Sequence, residues 1–149
     1  MSIIRITKEF RYEGAHALYK YDGKCRNIHG HSYVLYVTVK GTPIDDDSNC
    51  KNGMLLDFSD FKRIVNDTIV EKFDHALVLR NESPMALELG SAYEKVVLVD
   101  FQPTCENLIV YFASVISSHL PDNVQLHSLR LHESPSSFVE WYADDNGKL

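Results

Sequence analysis

Residues 32–41, which read SYVLYVTVKG, constrain the fold of this chain more than any other stretch. Apolar or aromatic side chains fall on both faces of an extended backbone here, because Leu35 and Val37 alternate with Val34 and Tyr36. A strand with two apolar faces is typical of a sheet interior. We therefore predict a central strand that is covered on both sides.

Two histidines stand just before this strand, in residues 25–31 (CRNIHGH). His29 and His31 are one residue apart, so an extended backbone projects both imidazoles from the same face. His16 lies upstream, and a hairpin-like return of the chain would bring it beside the pair. Three neutral imidazoles suit Zn²⁺ and leave a fourth position open for water or substrate, which is typical of a catalytic zinc. We predict a zinc site formed by His16, His29 and His31.

A cysteine lies close to the predicted metal site. Cys25 precedes His29 by four residues and stands between Lys24 and Arg26. It is placed either to complete the zinc tetrahedron or to lie beside the metal as a reactive thiol, because nearby cations favour the thiolate. The residues alone leave both roles open.

Composition narrows the class of protein. A chain of 149 residues, 44% hydrophobic and 24% charged, predicts one soluble domain over residues 1–149. We expect no membrane partner and a cytoplasmic location, because no apolar run approaches about 18 residues and the first residues lack a signal-peptide core. A net charge of −6 disfavours nucleic acid as a partner. The chain has only three cysteines, a small and odd number that argues against a disulfide framework.

Hydrophobic periodicity predicts the remaining elements. We expect an α+β fold in which helices pack on one face of an antiparallel sheet. The predicted elements are strands over 3–13, 32–41, 124–133 and 137–143, a short strand over 95–101, a helix over 60–73 capped by Ser59, a loop or irregular insertion over 80–94, and a second helix capped by Thr104.

Several motifs together resemble those of the superfamily of 6-pyruvoyl-tetrahydropterin synthases and 6-carboxytetrahydropterin synthases. The resemblance implies the tunnelling fold (T-fold), an antiparallel ββααββ sheet with two helices on one face. It also implies a homo-oligomer, a hexamer in that superfamily, assembled through edge strands. The motifs are GAHAL at 14–18, KCRNIHGHSY at 24–33, DH at 74–75, PTCEN at 103–107 and ESP at 133–135.

The resemblance also implies catalytic roles. Cys25 would be the general acid or base that moves protons on the pterin and its side chain, without binding zinc. Asp74 and His75 would form the second catalytic element, in which the carboxylate orients the imidazole.

Three further residues are implied to bind substrate. Glu133 shares a predicted strand face with His127, Leu129 and Leu131, where a carboxylate needs partners. A pterin offers two parallel N–H donors, and the resembling enzymes use this glutamate as the pterin anchor. Glu106 and Thr104 belong to the Pro-Thr-x-Glu-Asn motif, although a plain helix cap explains the threonine as well.

The implied reaction starts from 7,8-dihydroneopterin triphosphate. The gap of three residues between Cys25 and His29 resembles the 6-carboxytetrahydropterin synthases of the queuosine precursor pathway. The expected products are 6-carboxy-5,6,7,8-tetrahydropterin, triphosphate and acetaldehyde. Three alternatives stay open: a 6-pyruvoyl product without side-chain cleavage, a zinc-dependent hydrolase that would not need Cys25, and a zinc-stabilised binding module without catalysis.

Overall fold

A six-stranded mixed sheet forms the centre of the computed structural model, which describes residues 2–147. The strand order is β4-β3-β1-β2-β5-β6. β1–β2, β2–β5 and β5–β6 pair antiparallel, whereas β1–β3 and β3–β4 pair parallel. The strands are β1 (Ile4–His16), β2 (His29–Gly41), β3 (Ala76–Arg80), β4 (Val96–Val99), β5 (Gln125–Ser134) and β6 (Ser137–Tyr142).

Two long helical segments supply the other layer of the core. Buried side chains of both segments pack with Leu35, Val37 and Leu131 of the sheet in one hydrophobic cluster. The predicted α+β class with helices on one face is therefore confirmed. The helices are α1 (Phe58–Val65), which continues through a π-helical turn (Asn66–Val70) into α2 (Glu71–Phe73), then α3 (Pro84–Leu89), α4 (Cys105–His119) and α5 (Ala143–Asn146).

β2 occupies the central position that its sequence predicts, between β1 and β5. Its core-facing side chains, such as Leu35 and Val37, are fully buried. Val34 and Tyr36 on the opposite face are only half-buried, and the Tyr36 hydroxyl donates to the Glu9 carboxylate at 2.8 Å. The prediction that the strand is covered on both sides is therefore wrong: its aromatic outer face carries a polar network.

β3 corrects the prediction of a wholly antiparallel sheet. This strand pairs in parallel with the end of β1, where Gly14 lies opposite Ala76 and His16 opposite Val78. Its sequence, ALVLR, is a short apolar run that periodicity cannot distinguish from other buried segments. The pairing brings residues 74–75 next to the end of β1. The segment 80–94, expected to be irregular, contains the short helix α3.

Two local predictions also need correction. His127 does not share the face of Leu129, because a register shift in the β2–β5 pairing leaves both Leu126 and Leu129 buried. Asp57, and not Ser59, caps α1: its carboxylate accepts from the Ser59 amide at 2.7 Å. No helix within residues 2–147 is long and apolar enough to cross a membrane.

Candidate metal centre and active site

The ends of β1 and β2 bring three histidines together. His16 lies directly opposite His29 in the antiparallel register, and Gly14 lies opposite His31. The three imidazoles therefore share the core-facing side of the sheet. The Nε2 atoms of His16 and His29 are 2.9 Å apart, and one ring nitrogen from each of the three residues lies within 4.8 Å of the others.

Backbone carbonyls orient two of these rings. The Nδ1 of His16 donates to the Pro103 carbonyl at 2.7 Å, and the Nδ1 of His29 donates to the Asn27 carbonyl at 2.7 Å. In a neutral imidazole this leaves Nε2 unprotonated, as a metal ligand must be. The Nε2 of His31 is buried and makes no hydrogen bond among the described residues, although the Glu133 Oε1 lies 3.1 Å away. Together the three rings fit Zn²⁺.

Burial favours the neutral form of two of the imidazoles. Desolvation lowers the pKa of His16, which is 2% exposed, although its bond to the Pro103 carbonyl acts in the opposite direction. Desolvation also lowers the pKa of His31, against the opposing charge of Glu133. Neutral imidazole is the form that binds a metal ion, so the environment favours the ligand state.

Two stacked tyrosines lie beneath the histidines. The rings of Tyr12 and Tyr33 are 4.8 Å apart, and Tyr33 lies 5.6 Å from the His31 ring. Burial raises the pKa of both phenols well above the ordinary value. A Cβ atom at position 14 would lie only 3.1 Å from each tyrosine ring. Glycine at this position therefore allows the rings to pack under the cluster.

Glu133 lies against this cluster, at the end of β5. Its Oε1 is 3.1 Å from the Nε2 of His31 and 3.5 Å from the Nε2 of His16. About a third of the carboxylate side chain is exposed, so it can face a ligand as well as the histidines. The structure thus brings this residue to the same place as the three predicted metal ligands.

Asp74 and His75 form a bonded pair at the turn before β3. The His75 Nδ1 is 2.9 Å from one Asp74 carboxylate oxygen, and the other oxygen accepts from the Glu13 amide at 2.9 Å. The Glu13 amide, and next the His75 imidazole, lower the pKa of the Asp74 carboxyl. His75 itself is 77% exposed at its side chain and has a φ of 57°. Hydrogen bonds therefore fix the aspartate of the pair, whereas the histidine side chain is exposed to solvent.

Cys25 is not bonded to either group among the described residues. It lies half-buried on a short 3₁₀ turn, Lys24–Arg26, and its thiol is free. It does not belong to the three-histidine ligand group. Within residues 2–147, no hydrogen bond or ion pair joins it to Asp74 or His75. A single chain therefore does not assemble the implied cysteine, aspartate and histidine relay by direct contact.

A groove of about 990 Å³ connects the two histidine-bearing sites. His31 and His75 both line it, and residues 93–95 form one wall. Within this wall, Lys95 donates from Nζ to the carbonyl oxygens of Glu71 and Asp74. Sequence reasoning missed this lysine, because it lies 20 residues from His75 in a segment with no motif.

The family model described as 6-pyruvoyl tetrahydropterin synthase matches residues 5–144 of this chain. The chain belongs to this family. A relative from Haemophilus influenzae, named 6-carboxy-5,6,7,8-tetrahydropterin synthase, is 38% identical over 93% of this chain and 99% of its own. A relative of the same name from Rickettsia conorii is 30% identical over the same shares. A 6-pyruvoyl tetrahydrobiopterin synthase from Drosophila melanogaster is 28% identical over 80% of this chain and 61% of its own.

Solved structures confirm the tunnelling fold of this pterin synthase family member. An uncharacterized protein from Wolinella succinogenes superposes with a TM-score of 0.75 at 22% identity, over 95% of this chain and 99% of the other. The 6-pyruvoyl tetrahydropterin synthase of Caenorhabditis elegans gives a TM-score of 0.67 at 21% identity, over 95% and 96%.

The Pro-Thr-Cys-Glu-Asn motif of this family member meets the histidine cluster through its backbone. The Pro103 carbonyl holds His16, as described above, while the Thr104 hydroxyl accepts from the Asn107 amide at 3.2 Å and caps α4. Glu106 is exposed in the first turn of that helix. The motif thus contacts the site through a backbone carbonyl. A pattern of side chains in the sequence cannot predict such a contact.

Proposed function

We propose that this chain is a zinc-dependent lyase that converts 7,8-dihydroneopterin triphosphate to 6-carboxy-5,6,7,8-tetrahydropterin, with release of triphosphate and acetaldehyde, in queuosine biosynthesis. The observation that carries the proposal is the convergence of three imidazoles at the ends of β1 and β2. The identity to relatives named for this activity supports the 6-carboxy product.

His16, His29 and His31 would hold the ion. When bound, Zn²⁺ supplies Lewis acidity to the hydroxyls of the substrate side chain. The protein contributes two rings, His16 and His29, whose Nδ1 atoms are held by the Pro103 and Asn27 carbonyls, and two buried, stacked tyrosines beneath the cluster. This preorganisation removes the need to reorient ligands when substrate arrives.

Cys25, Asp74 and His75 move protons in the proposed mechanism. The Asp74 carboxylate holds the Nδ1 of His75, which leaves its Nε2 free to accept or deliver a proton. The Cys25 thiol is the second proton carrier.

Glu133 anchors the pterin in this proposal, with Glu106 and Thr104 near the substrate. Its partly exposed carboxylate at the edge of the histidine cluster can accept two parallel hydrogen bonds from the pterin ring. The carboxylate would then hold the ring while the side chain of the substrate reaches the metal.

Glu133→Gln is expected to weaken the binding of a pterin product while zinc content and folding are retained. Glutamine keeps the size but turns one acceptor into a donor that faces another donor. The loss of a charged hydrogen bond costs about 1.5–3 kcal/mol, or about ten- to a hundredfold in affinity. Fluorescence titration with a tetrahydropterin measures it, and Glu140→Gln on β6 is a matched control. An unchanged dissociation constant would move the anchor elsewhere, and lost zinc would make Glu133 a metal ligand.

Product identification tests the reaction itself. The zinc-loaded protein is incubated with 7,8-dihydroneopterin triphosphate, and pterins and aldehydes are separated and identified by mass. We expect 6-carboxy-5,6,7,8-tetrahydropterin and acetaldehyde in equal amounts. A 6-pyruvoyl product without acetaldehyde would favour the alternative that the Drosophila melanogaster relative suggests. If the protein binds zinc but turns over no pterin, the result would favour the alternative of a zinc-stabilised binding module.

We further propose a homo-oligomer, a hexamer by resemblance, that is assembled through the sheet edges. β4 and β6 are the edge strands of the described sheet, and pairing between copies would satisfy their free backbone groups. In such an oligomer the exposed His75 of one copy would contact Cys25 of another copy. No such contact forms among the described residues of a single chain.

Complementation between variants tests this sharing of sites. Cys25→Ala and His75→Ala proteins, each inactive alone, are dissociated, mixed and reassembled. If one site takes Cys25 and His75 from different copies, some mixed sites contain both residues and turnover returns to a sizeable fraction of the wild-type value. Mass measurement first shows that the reassembled oligomers contain both chains. If their turnover stays at the level of the separate variants, each site lies within one copy.

A further inference from the structure

The side chain of Lys95 joins two parts of the chain at the Asp74–His75 turn. Its Nζ donates to the carbonyl oxygens of Glu71, at 2.6 Å, and of Asp74. Its own carbonyl accepts from the Leu77 amide at 3.0 Å. Lys95 therefore spans the turn from both sides, from the last turn of α2 to the start of β3.

The turn that Lys95 spans is conformationally demanding. His75 has a φ of 57°, in the left-handed region that a residue with a Cβ rarely adopts. Such a conformation persists only where the surroundings determine it from several sides. Here the Glu13 backbone holds the turn from β1, through the His75 amide and the Asp74 carboxylate. Lys95 supplies a second set of contacts, through the Glu71 and Asp74 carbonyls.

The charge of Lys95 suits this position. The last carbonyls of a helix have no partners within the helix and carry partial negative charge. An ammonium group with three donors can satisfy several of them at once. Lys95 also adds to the lowering of the Asp74 pKa, after the Glu13 amide and His75, so the same cation keeps the carboxylate ionised.

We propose that Lys95 is a positioning residue, which fixes the Asp74–His75 pair in the conformation that proton transfer requires. The inference rests on the proposed function, in which this pair moves protons. Lys95 acts through the two carbonyls at the turn and not on the substrate. Lys95 lines the same groove as His31 and His75. In this proposal it lies near the reacting groups but exchanges no proton with the substrate.

Lys95→Met tests the proposal, with Lys72→Met as the matched control. Lys72 lies on α2 and donates to the Tyr111 hydroxyl at 2.8 Å, so its replacement removes one positive charge near α2 and leaves the contacts of Lys95 with the turn in place. A small misplacement of a catalytic group can cost about 10²-fold in rate. We expect kcat of the Lys95→Met protein to fall about ten- to a hundredfold, with KM and zinc content unchanged. Lys95→Arg keeps the charge and several donors, and should restore most of kcat.

A second readout does not depend on turnover. In nitrogen-15 and carbon-13 labelled protein, the backbone amide and imidazole signals of His75 report the turn directly. We expect them to shift or broaden in Lys95→Met and to stay in place in Lys72→Met. If the wild-type protein turns over no pterin, the proposed function fails, while these signals still decide the role of Lys95.

Three results would overturn the positioning role. Unchanged His75 signals in Lys95→Met would show that the turn does not need the lysine. A raised KM at constant kcat would make Lys95 a contact of the substrate phosphates. Loss of the folded spectrum in Lys95→Met would make the lysine a requirement of the fold as a whole.

Discussion

Replacement of His29 by alanine is expected to reduce zinc from one ion per chain to almost none. His29 is only partly buried, so its removal spares the core, whereas His16 is 2% exposed. Loss of a residue that merely supports a ligand typically costs 10–100-fold in metal affinity, and loss of the ligand itself should cost at least about 100-fold. Metal analysis after dialysis measures the content, and turnover should disappear with the metal.

His119→Ala is the matched control, because this histidine is exposed at the far end of α4. It should keep its full zinc content. Full zinc occupancy in the His29→Ala protein would show that the three-histidine assignment is wrong. Loss of zinc accompanied by unfolding of the whole chain, with no turnover by the zinc-loaded wild-type protein, would instead favour the zinc-stabilised binding module.

Zinc affinity should also depend on pH in a defined direction. Protons compete for the ring nitrogens, so affinity falls as the pH drops through the imidazole pKa. Burial lowers the pKa of His16 and His31 below the reference value of about 6.5. The loss should therefore begin below about pH 6 and be reversible on return to neutral pH. Constant affinity down to pH 4.5 would indicate ligands other than histidine.

The three-histidine cluster could be predicted from sequence because its geometry is local. The one-residue spacing of His29 and His31 places both rings on one face of any strand. The hairpin-like return that brings His16 opposite His29 follows once β1 and β2 are recognised as neighbours along the chain. Motif resemblance then added the glutamate on β5, and the structure places its carboxylate 3.1 Å from His31.

The contacts that sequence could not predict join distant segments or involve backbone atoms. The Pro103 carbonyl that orients His16 is 87 residues away and has no side-chain signal. Lys95 reaches Glu71 and Asp74 only because β3 and β4 pair in parallel, and the apolar run of β3 has no period that identifies it as a strand. Both contacts support a predicted site residue, so the sequence indicated the candidate site residues but gave no signal for the contacts that hold them.

Removal of the Cys25 thiol separates the leading proposal from its rivals. If Cys25 carries protons beside the metal without binding it, Cys25→Ala should keep its zinc and its fold. Its turnover should fall by about 10²–10⁴-fold, the usual range for loss of a general acid or base. The absence of Cys25 from the three-histidine group supports the retention of zinc. Cys50→Ala is the matched control, since Cys50 is exposed outside the site.

The same thiol should differ from the other two in reactivity. Lys24 and Arg26 flank Cys25, and cations favour the reactive thiolate. Burial raises the pKa of Cys105 to about 12, and its thiol donates towards the Leu131 carbonyl at 3.6 Å, so it should be nearly inert. We expect alkylation in the order Cys25, then Cys50, then Cys105, with a pterin product protecting Cys25 alone.

The outcomes of the Cys25→Ala experiment exclude one another. Loss of zinc would make Cys25 a fourth ligand and the site structural. Retained zinc with unimpaired turnover would favour hydrolysis by a metal-activated water, which needs no thiol. Retained zinc, lost turnover and substrate-protected alkylation would together identify Cys25 as the proton carrier. Zinc content, turnover and alkylation rate, measured on this variant and its Cys50→Ala control, decide among the three.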